Sequence, residues 1–570
     1  LEPALSYSFE LTEKTTVSMW IRVFVKDTAR DSIFAAVDNT EYQYFSLSVD
    51  KGYYWKMLIV KELEAGIHTF DLFPREPCSI DRVLFSSDGL FNPSGLGGTP
   101  DDAAEQIVIH NGPTFKPIAE HPRIYFTKED IPKIIENAKK PQNAEQWQKH
   151  LSNLENQSDG KLPAATSTNN FDSTLLEIIE SRAFEYALHG EEEIGRLAIS
   201  SMIEFVSTMS KDSALYHGYY SYAGEAMHKM AEVYDWCHPL LTAEEKEIFH
   251  KMFLILAQGT EMGWPPDDQD LLGGHGGETQ LLRDMLAVGI AMYDEYPYIY
   301  NNTAGRFFDE AVDFRKFMYN SHFHIEGDHY FQVRYGAEIA STLLLDAIGY
   351  PKVFGLEQQY VPYWQIYARR PDGSTLRSGD SMHDSYPTGQ YYNSYYEPMF
   401  LTANYFKDPY LKREAMRENI GFKPSTPYAN QSLSTVEFLI FNDPDLEDRS
   451  LQELPLSKYF PSPQGGMIAR TGWEDGIKSP AVVAEMKMSE FWVPSHAHLD
   501  AGSFQIYYKG PLANDTGYYA TNVGTGSNTD NGGRTYFGSV HFFNYYRRTI
   551  AHNCMLIYDP NEKIVSANNY

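Results

Sequence analysis

The apolar residues of this 570-residue chain change their spacing twice, and that change limits its possible folds more than any other feature. A strand turns every second side chain to one face, whereas a helix returns to the same face every 3.6 residues. Through residue 118 the pattern is strand-like. Thr16–Val25, Tyr42–Val49, Tyr54–Val60 and His68–Leu72 are rich in Val, Tyr, Phe and Thr with partial alternation. From 119 to 450 it becomes helical: Leu175, Leu176, Ile178, Ile179, Phe184 and Ala187 form one stripe within Ser173–Leu188. Thr242 and Glu245 make a capping box that opens a helix running to about Leu256. Leu281–Met292 and Ile339–Leu345 mark further helices, and no heptads occur. After 451 strands return at Gly466–Arg470, Ala481–Lys487, Ser503–Tyr508, Thr549–Asn553 and Met555–Tyr558. A chain this long exceeds one compact core. The expectation is a multidomain α+β protein with an N-terminal β-sandwich (1–118), a central helical (α/α) toroid (119–450) and a C-terminal antiparallel β-sandwich (451–570). The last is expected to be incomplete, because the chain stops at Tyr570 shortly after a strand.

Charge narrows the partners. Lys and Arg total 47 against 77 Asp and Glu, a net charge of −30 with pI near 5.0. Such a surface repels polyanions at long range and argues against nucleic acid. Screening acts over about 8 Å at physiological salt, so a locally basic cleft still holds an acidic glycan. Aromatic residues make up 14% of the chain. Tyr and Trp pair an apolar face with a polar edge, which suits sugar rings, although packing in a large core is the commoner use. Cys78, Cys237 and Cys554 are widely separated and imply neither a disulfide framework nor a cysteine metal site. No run of 18 apolar residues predicts a membrane span. The start at Leu1-Glu2-Pro3, without Met, is consistent either with a removed signal peptide or with a trimmed sequence, and a secreted or periplasmic location is the expectation. Nothing in the composition fixes an oligomeric state.

Four short constellations carry chemistry. Gly273-Gly274-His275-Gly276-Gly277-Glu278 precedes the Leu281 helix, and its glycines allow close backbone approach to a ligand. In Glu326–Gly336, Tyr330 and Arg334 lie one helical turn apart, so the guanidinium favours a phenolate. His496 and His498, in Ser495-His496-Ala497-His498-Leu499-Asp500, point to one face of an extended segment and can reach one site. Asp515 and His552 join His498 as a nitrogen and oxygen set suited to zinc. Each of these also has an ordinary structural explanation as a glycine loop, a surface contact or a packed histidine.

Taken in order, the motifs resemble the heparinase II/III-like lyases over roughly 119–570. The series begins with His121-Pro122-Arg123-Ile124-Tyr125-Phe126-Thr127-Lys128-Glu129-Asp130 and runs through His275-x-x-Glu278 and Tyr330-x-x-x-Arg334-Tyr335-Gly336. Arg370-Pro371-Asp372-Gly373, Arg377-x-Gly379-Asp380, Gly465-Gly466-Met467 through Trp473, His496-x-His498, Asp515 and His552-Asn553 follow. The resemblance implies a toroid followed by an antiparallel sandwich. It implies Tyr330 as the catalytic tyrosine, His496 as a second acid/base, and His275 with Glu278 meeting the substrate carboxylate. It also implies a mainly structural zinc on His498, Asp515 and His552. Alginate-cleaving relatives place Asn before the first histidine, where this chain has Gly274, which tilts the substrate toward glycosaminoglycans.

β-Elimination explains why such groups belong together. Removing the C5 proton of a uronate builds a dianionic enolate, so the carboxylate must be neutralised; His275, a protonated Glu278 and Arg334 are the candidates. A base must then reach C5 and an acid must protonate the departing O4. Tyr330 does both where proton and O4 leave from one side; for the other epimer His496 is expected as base on the opposite face of the sugar. The rival readings are an alginate or other polyuronate lyase, a metal-dependent hydrolase around His496, His498, Asp515 and His552, a glycoside hydrolase with paired carboxylates, and a non-catalytic glycan-binding protein.

Overall fold

The computed structural model describes residues 3–26, 32–38, 40, 42–47, 52–87, 93, 96–97, 112–162, 171–209, 220–258, 260, 262–264, 266, 271, 279–324, 326–381, 396–417, 433–491, 493, 496–516, 541–557 and 560–561. The chain forms two compact units. The first gathers Leu1–Gly112, Asn153–Asp268 and Ala287–Thr303; the second gathers Pro113–Ser152, Gln269–Leu286 and Ala304–Tyr570.

In the first unit seven strands make two sheets: β1 (Leu5–Leu11), β2 (Thr15–Phe24), β3 (Ser32–Val37), β4 (Gln43–Ser46), β5 (Tyr54–Leu63), β6 (Gly66–Pro74) and β7 (Ser79–Ser86). One sheet has the order β1-β6-β3-β4 and the other β5-β2-β7. Alternate residues of β2, Val17, Met19, Ile21 and Val23, meet Ile33, Ala35, Phe70 and Leu72 of the facing sheet in one core. This is the two-sheet packing that period-2 patterning produces. Helices follow at Ser173–His189, Glu192–Met209, Tyr220–Trp236 and Ala243–Gln258. The first begins where the Asp172 side chain accepts from the amides of Thr174 (3.0 Å) and Leu175 (3.1 Å), and ends at Gly190 with φ 75°. The capping box forms as expected, with Glu245 accepting from the Thr242 amide at 2.9 Å and Thr242 Oγ1 from the Glu245 amide at 3.2 Å.

The second unit combines helices with an antiparallel meander of β8 (Ser457–Phe460), β9 (Gly466–Arg470), β10 (Val483–Lys487), β11 (Phe504–Tyr507) and β12 (Pro511–Ala513), adjacent in chain order. Two expectations fail here. Thr549–Asn553 is not a strand: Ala551 and His552 donate back to the carbonyls of Arg548 and Thr549, closing a 3₁₀ turn over Thr549–Ala551. Met555–Ile557 joins no strand, and Tyr558 lies outside the described residues. No helix among the described residues is long and apolar enough to cross a membrane.

Candidate functional site

Tyr330 ends a short helix, Gly327–Tyr330, which continues as a π-helical turn over Phe331–Tyr335 and then as an α-helix over Gly336–Ala347. Wide turns of this kind interrupt helices where side chains must be re-aimed. Gly327 opens the segment at φ +85°, and a Cβ there would stand 2.2 Å from the Ser378 carbonyl oxygen. That close approach lets Gly327 form an isolated antiparallel bridge with Gly379, itself at φ +55°. The segment before Asp380 is thereby fastened to the start of the Tyr330 helix.

Arg334 sits beneath Tyr330, with Cζ 5.1 Å from the ring centre. Its Nη1 reaches both carboxylate oxygens of Glu326, at 2.6 and 2.5 Å. Arg334 is 1% exposed and Glu326 fully buried, so this guanidinium is turned inward. It supports the tyrosine from below and does not face outward toward a substrate carboxylate, as the sequence had suggested.

His496 and His498 lie in the long connection from β10 to β11. Backbone bonds close its base: Lys487 donates to Ser503 at 2.9 Å and Gly502 to Lys487 at 2.7 Å. Inside the loop, Leu499 donates to the Arg547 carbonyl at 2.7 Å. The His496 ring stacks on Tyr330 with centres 3.6 Å apart and planes 19° from parallel. That is van der Waals contact, so no sugar ring fits between them. The two rings are in direct contact here and are not held apart on opposite faces of a sugar-sized gap.

Asp380 connects the histidines, a role that the Arg377-x-Gly379-Asp380 motif alone did not disclose. The carboxylate is fully buried. Its Oδ2 accepts from His496 Nδ1 and its Oδ1 from His498 Nε2 at 2.9 Å. Burial, with the charges of His552, Lys487 and Arg547 nearby, holds the His498 imidazole well below the usual histidine range, so it is neutral and fit to act as a ligand.

The other expected metal ligands converge next to it. Asp515 follows β12, and His552 follows the Thr549–Ala551 turn; the Thr516 amide donates to the Ala551 carbonyl at 3.1 Å and ties the two segments together. Asp500, Asp515 and His552 each bring one ligand atom within 4.8 Å of the others. The His498 ring centre lies 5.1 Å from that of His552. His552 Nδ1 and Asp515 Oδ1 are 3.0 Å apart yet unaligned for a hydrogen bond, and among the described residues buried His498 Nδ1 and His552 Nε2 have no hydrogen-bond partner. Buried polar atoms left open in this way fit a cation, and two imidazoles with carboxylates suit zinc. Asp500 is the member that sequence reasoning did not propose; its Oδ2 also accepts from Lys487 Nζ at 2.5 Å. His275 and Glu278 lie outside the described residues.

No protein-family model matches the sequence, and no curated protein matches it. Among solved structures, a mutant of the heparan sulfate lyase HepC from Pedobacter heparinus is 15% identical with a TM-score of 0.38, covering 76% of this chain and 68% of that one. A heparinase III is 14% identical with a TM-score of 0.37, covering 79% and 65%. A Streptomyces coelicolor A3 chondroitin AC lyase in complex with chondroitin sulphate is 12% identical with a TM-score of 0.36, covering 76% and 62%. Likenesses this loose fix neither fold family nor activity, and the functional reading rests on the site itself.

Proposed function

We propose that the chain is a polysaccharide lyase that cleaves uronic-acid glycans of the glycosaminoglycan class by β-elimination, with its helical region forming the toroid of the heparinase II/III-like pattern and the residues before 119 a separate sandwich. The observation that carries this reading is the buried Tyr330–His496 stack, backed by Arg334 on one ring and Asp380 on the other. A guanidinium against the tyrosine favours its phenolate. Tyr330 then takes the C5 proton, the C4–O4 bond breaks as a C4–C5 double bond forms, and the phenol returns the proton to O4. His496, anchored through Nδ1, is the second acid/base. Because Tyr330 both takes and returns the proton, the favoured substrate is a uronate whose C5 proton and O4 leave from the same side, as in glucuronate. His275 and Glu278 are assigned to the substrate carboxylate.

A zinc ion on His498, Asp515 and His552 would supply fixed positive charge that braces the loop carrying His496. The convergence of Asp500, Asp515 and His552 also favours a second reading, a metal-dependent hydrolase. Digestion in heavy-oxygen water separates them. Elimination leaves a C4–C5 double bond and takes up no water at the cut, whereas hydrolysis adds one labelled water per bond cleaved and no double bond, with rapid quenching keeping exchange at the reducing end from blurring the label.

A further inference from the structure

We infer that Asp380 is a positioning residue that fixes complementary tautomers in His496 and His498, giving one histidine to proton transfer and the other to the metal. The inference deepens the lyase reading and rests on it for the word catalysis, but its geometry stands alone.

An ionised carboxylate only accepts hydrogen bonds. Each ring nitrogen facing Asp380 must therefore carry a proton. His496 faces it with Nδ1 and His498 with Nε2, the opposite nitrogens of the two rings. His496 in its neutral form is thus left with a bare Nε2. His498 is left with a bare Nδ1, the buried atom that has no hydrogen-bond partner among the described residues. One carboxylate sorts two histidines, two residues apart, into opposite tautomers. Such control of tautomer by the distal hydrogen bond is how second partners orient histidine ligands and bases.

The backbone around Asp380 supports the assignment. Gly379 has φ +55°, and a Cβ there would lie 2.9 Å from the His496 carbonyl oxygen and 3.0 Å from Gly327 Cα. Ser378 Oγ accepts from Lys487 Nζ at 3.2 Å, the same ammonium that holds Asp500. A three-residue strap, Ser378 to Asp380, thus touches the start of the Tyr330 helix, the His496 backbone, both imidazoles and the lysine beside the carboxylate cluster.

The test is long-range nitrogen–proton NMR on the full histidine-labelled chain, before and after chelation, with His496 and His498 assigned by single substitution. The wild type is expected to show His496 protonated on Nδ1 and His498 protonated on Nε2 in both states. A proton on His496 Nε2 with Nδ1 bare, or on His498 Nδ1, overturns the inference without any variant having to fold. In Asp380→Asn the amide faces one ring with its NH₂ group and the other with its acceptor oxygen, so one of the two rings must invert its tautomer. We expect that inversion, a fall in kcat of about 10- to 100-fold with KM little changed, and weaker zinc retention. Unchanged tautomers in a folded Asp380→Asn also overturn it. Loss of the lyase reading, by contrast, shows as absence of unsaturated product from a wild type whose tautomers are as stated.

Discussion

Replacing Glu326 with Ala tests the foundation under Tyr330. Arg334 and Glu326 are 1% and 0% exposed, and two nitrogen–oxygen approaches of 2.6 and 2.5 Å hold them together. At an effective dielectric near 20, unit charges about 4 Å apart attract by about 4 kcal/mol. Removing one partner strands the other charge in the interior, and breaking such pairs destabilises by about 3–5 kcal/mol. The affected element is Gly327–Ala347, so the readout is hydrogen exchange of its amides, which needs no two-state unfolding of a two-unit chain. Exchange there is expected to quicken by about two to three and a half powers of ten. The double variant Glu326→Leu with Arg334→Met removes both charges and is expected to recover most of that protection, while losing the guanidinium that packs against the Tyr330 ring. Exchange in Glu326→Ala within about threefold of wild type, or a double variant as labile as the single one, would refute the argument that a desolvated pair holds this helix.

Three further outcomes follow from the same structure. Gly327→Ala sets a Cβ 2.2 Å from the Ser378 carbonyl at φ +85°, and is expected to cost about 1–3 kcal/mol in thermal or urea unfolding with Tyr330 misplaced. Lys56, on β5, is buried, which lowers its ammonium to about 8 from 10.5. Its folded form holds fewer protons than the unfolded one, so the penalty is full below about pH 8 and vanishes as pH rises through 10.5. Lys56→Met is therefore expected to gain about 3 kcal/mol at pH 7 and nothing at pH 11, read from paired melting curves. Chelation followed by zinc is expected to raise the melting temperature with increasing free zinc, and His552→Ala to abolish that rise.

Much of the fold could be read from local pattern. The helix over Ser173–His189 combined a stripe, an Asp cap and a terminal Gly, and β2 and β5 carried enough Val, Ile and Met to show their period. The sequence pattern missed β7, where polar residues occupy both faces, and the short β8 and β12; it also passed over β3 and over β1, although Leu5, Tyr7, Phe9 and Leu11 alternate there with Ser6, Ser8 and Glu10. It misread Thr549–Asn553 because β-branched residues in an extended run resemble a strand until turn bonds close on them. In the site, short-range spacing could pair His496 with His498 and Tyr330 with Arg334, but the Tyr330–His496 stack comes only from the fold. Asp380, over a hundred residues away in sequence from both histidines, could not be paired with them from spacing, and neither could the inward commitment of Arg334 to Glu326. Asp500 stood within the His-x-His segment, but only the fold brings it to Asp515 and His552.

The central claim is tested most directly by ultraviolet absorbance during incubation with hyaluronan, chondroitin sulfate, heparan sulfate and alginate separately, beside a Tyr330→Phe variant. The account predicts a rise on at least one glucuronate-containing glycosaminoglycan that the variant abolishes. No rise on any of the four with folded, zinc-loaded protein, or a rise that survives Tyr330→Phe, would contradict it.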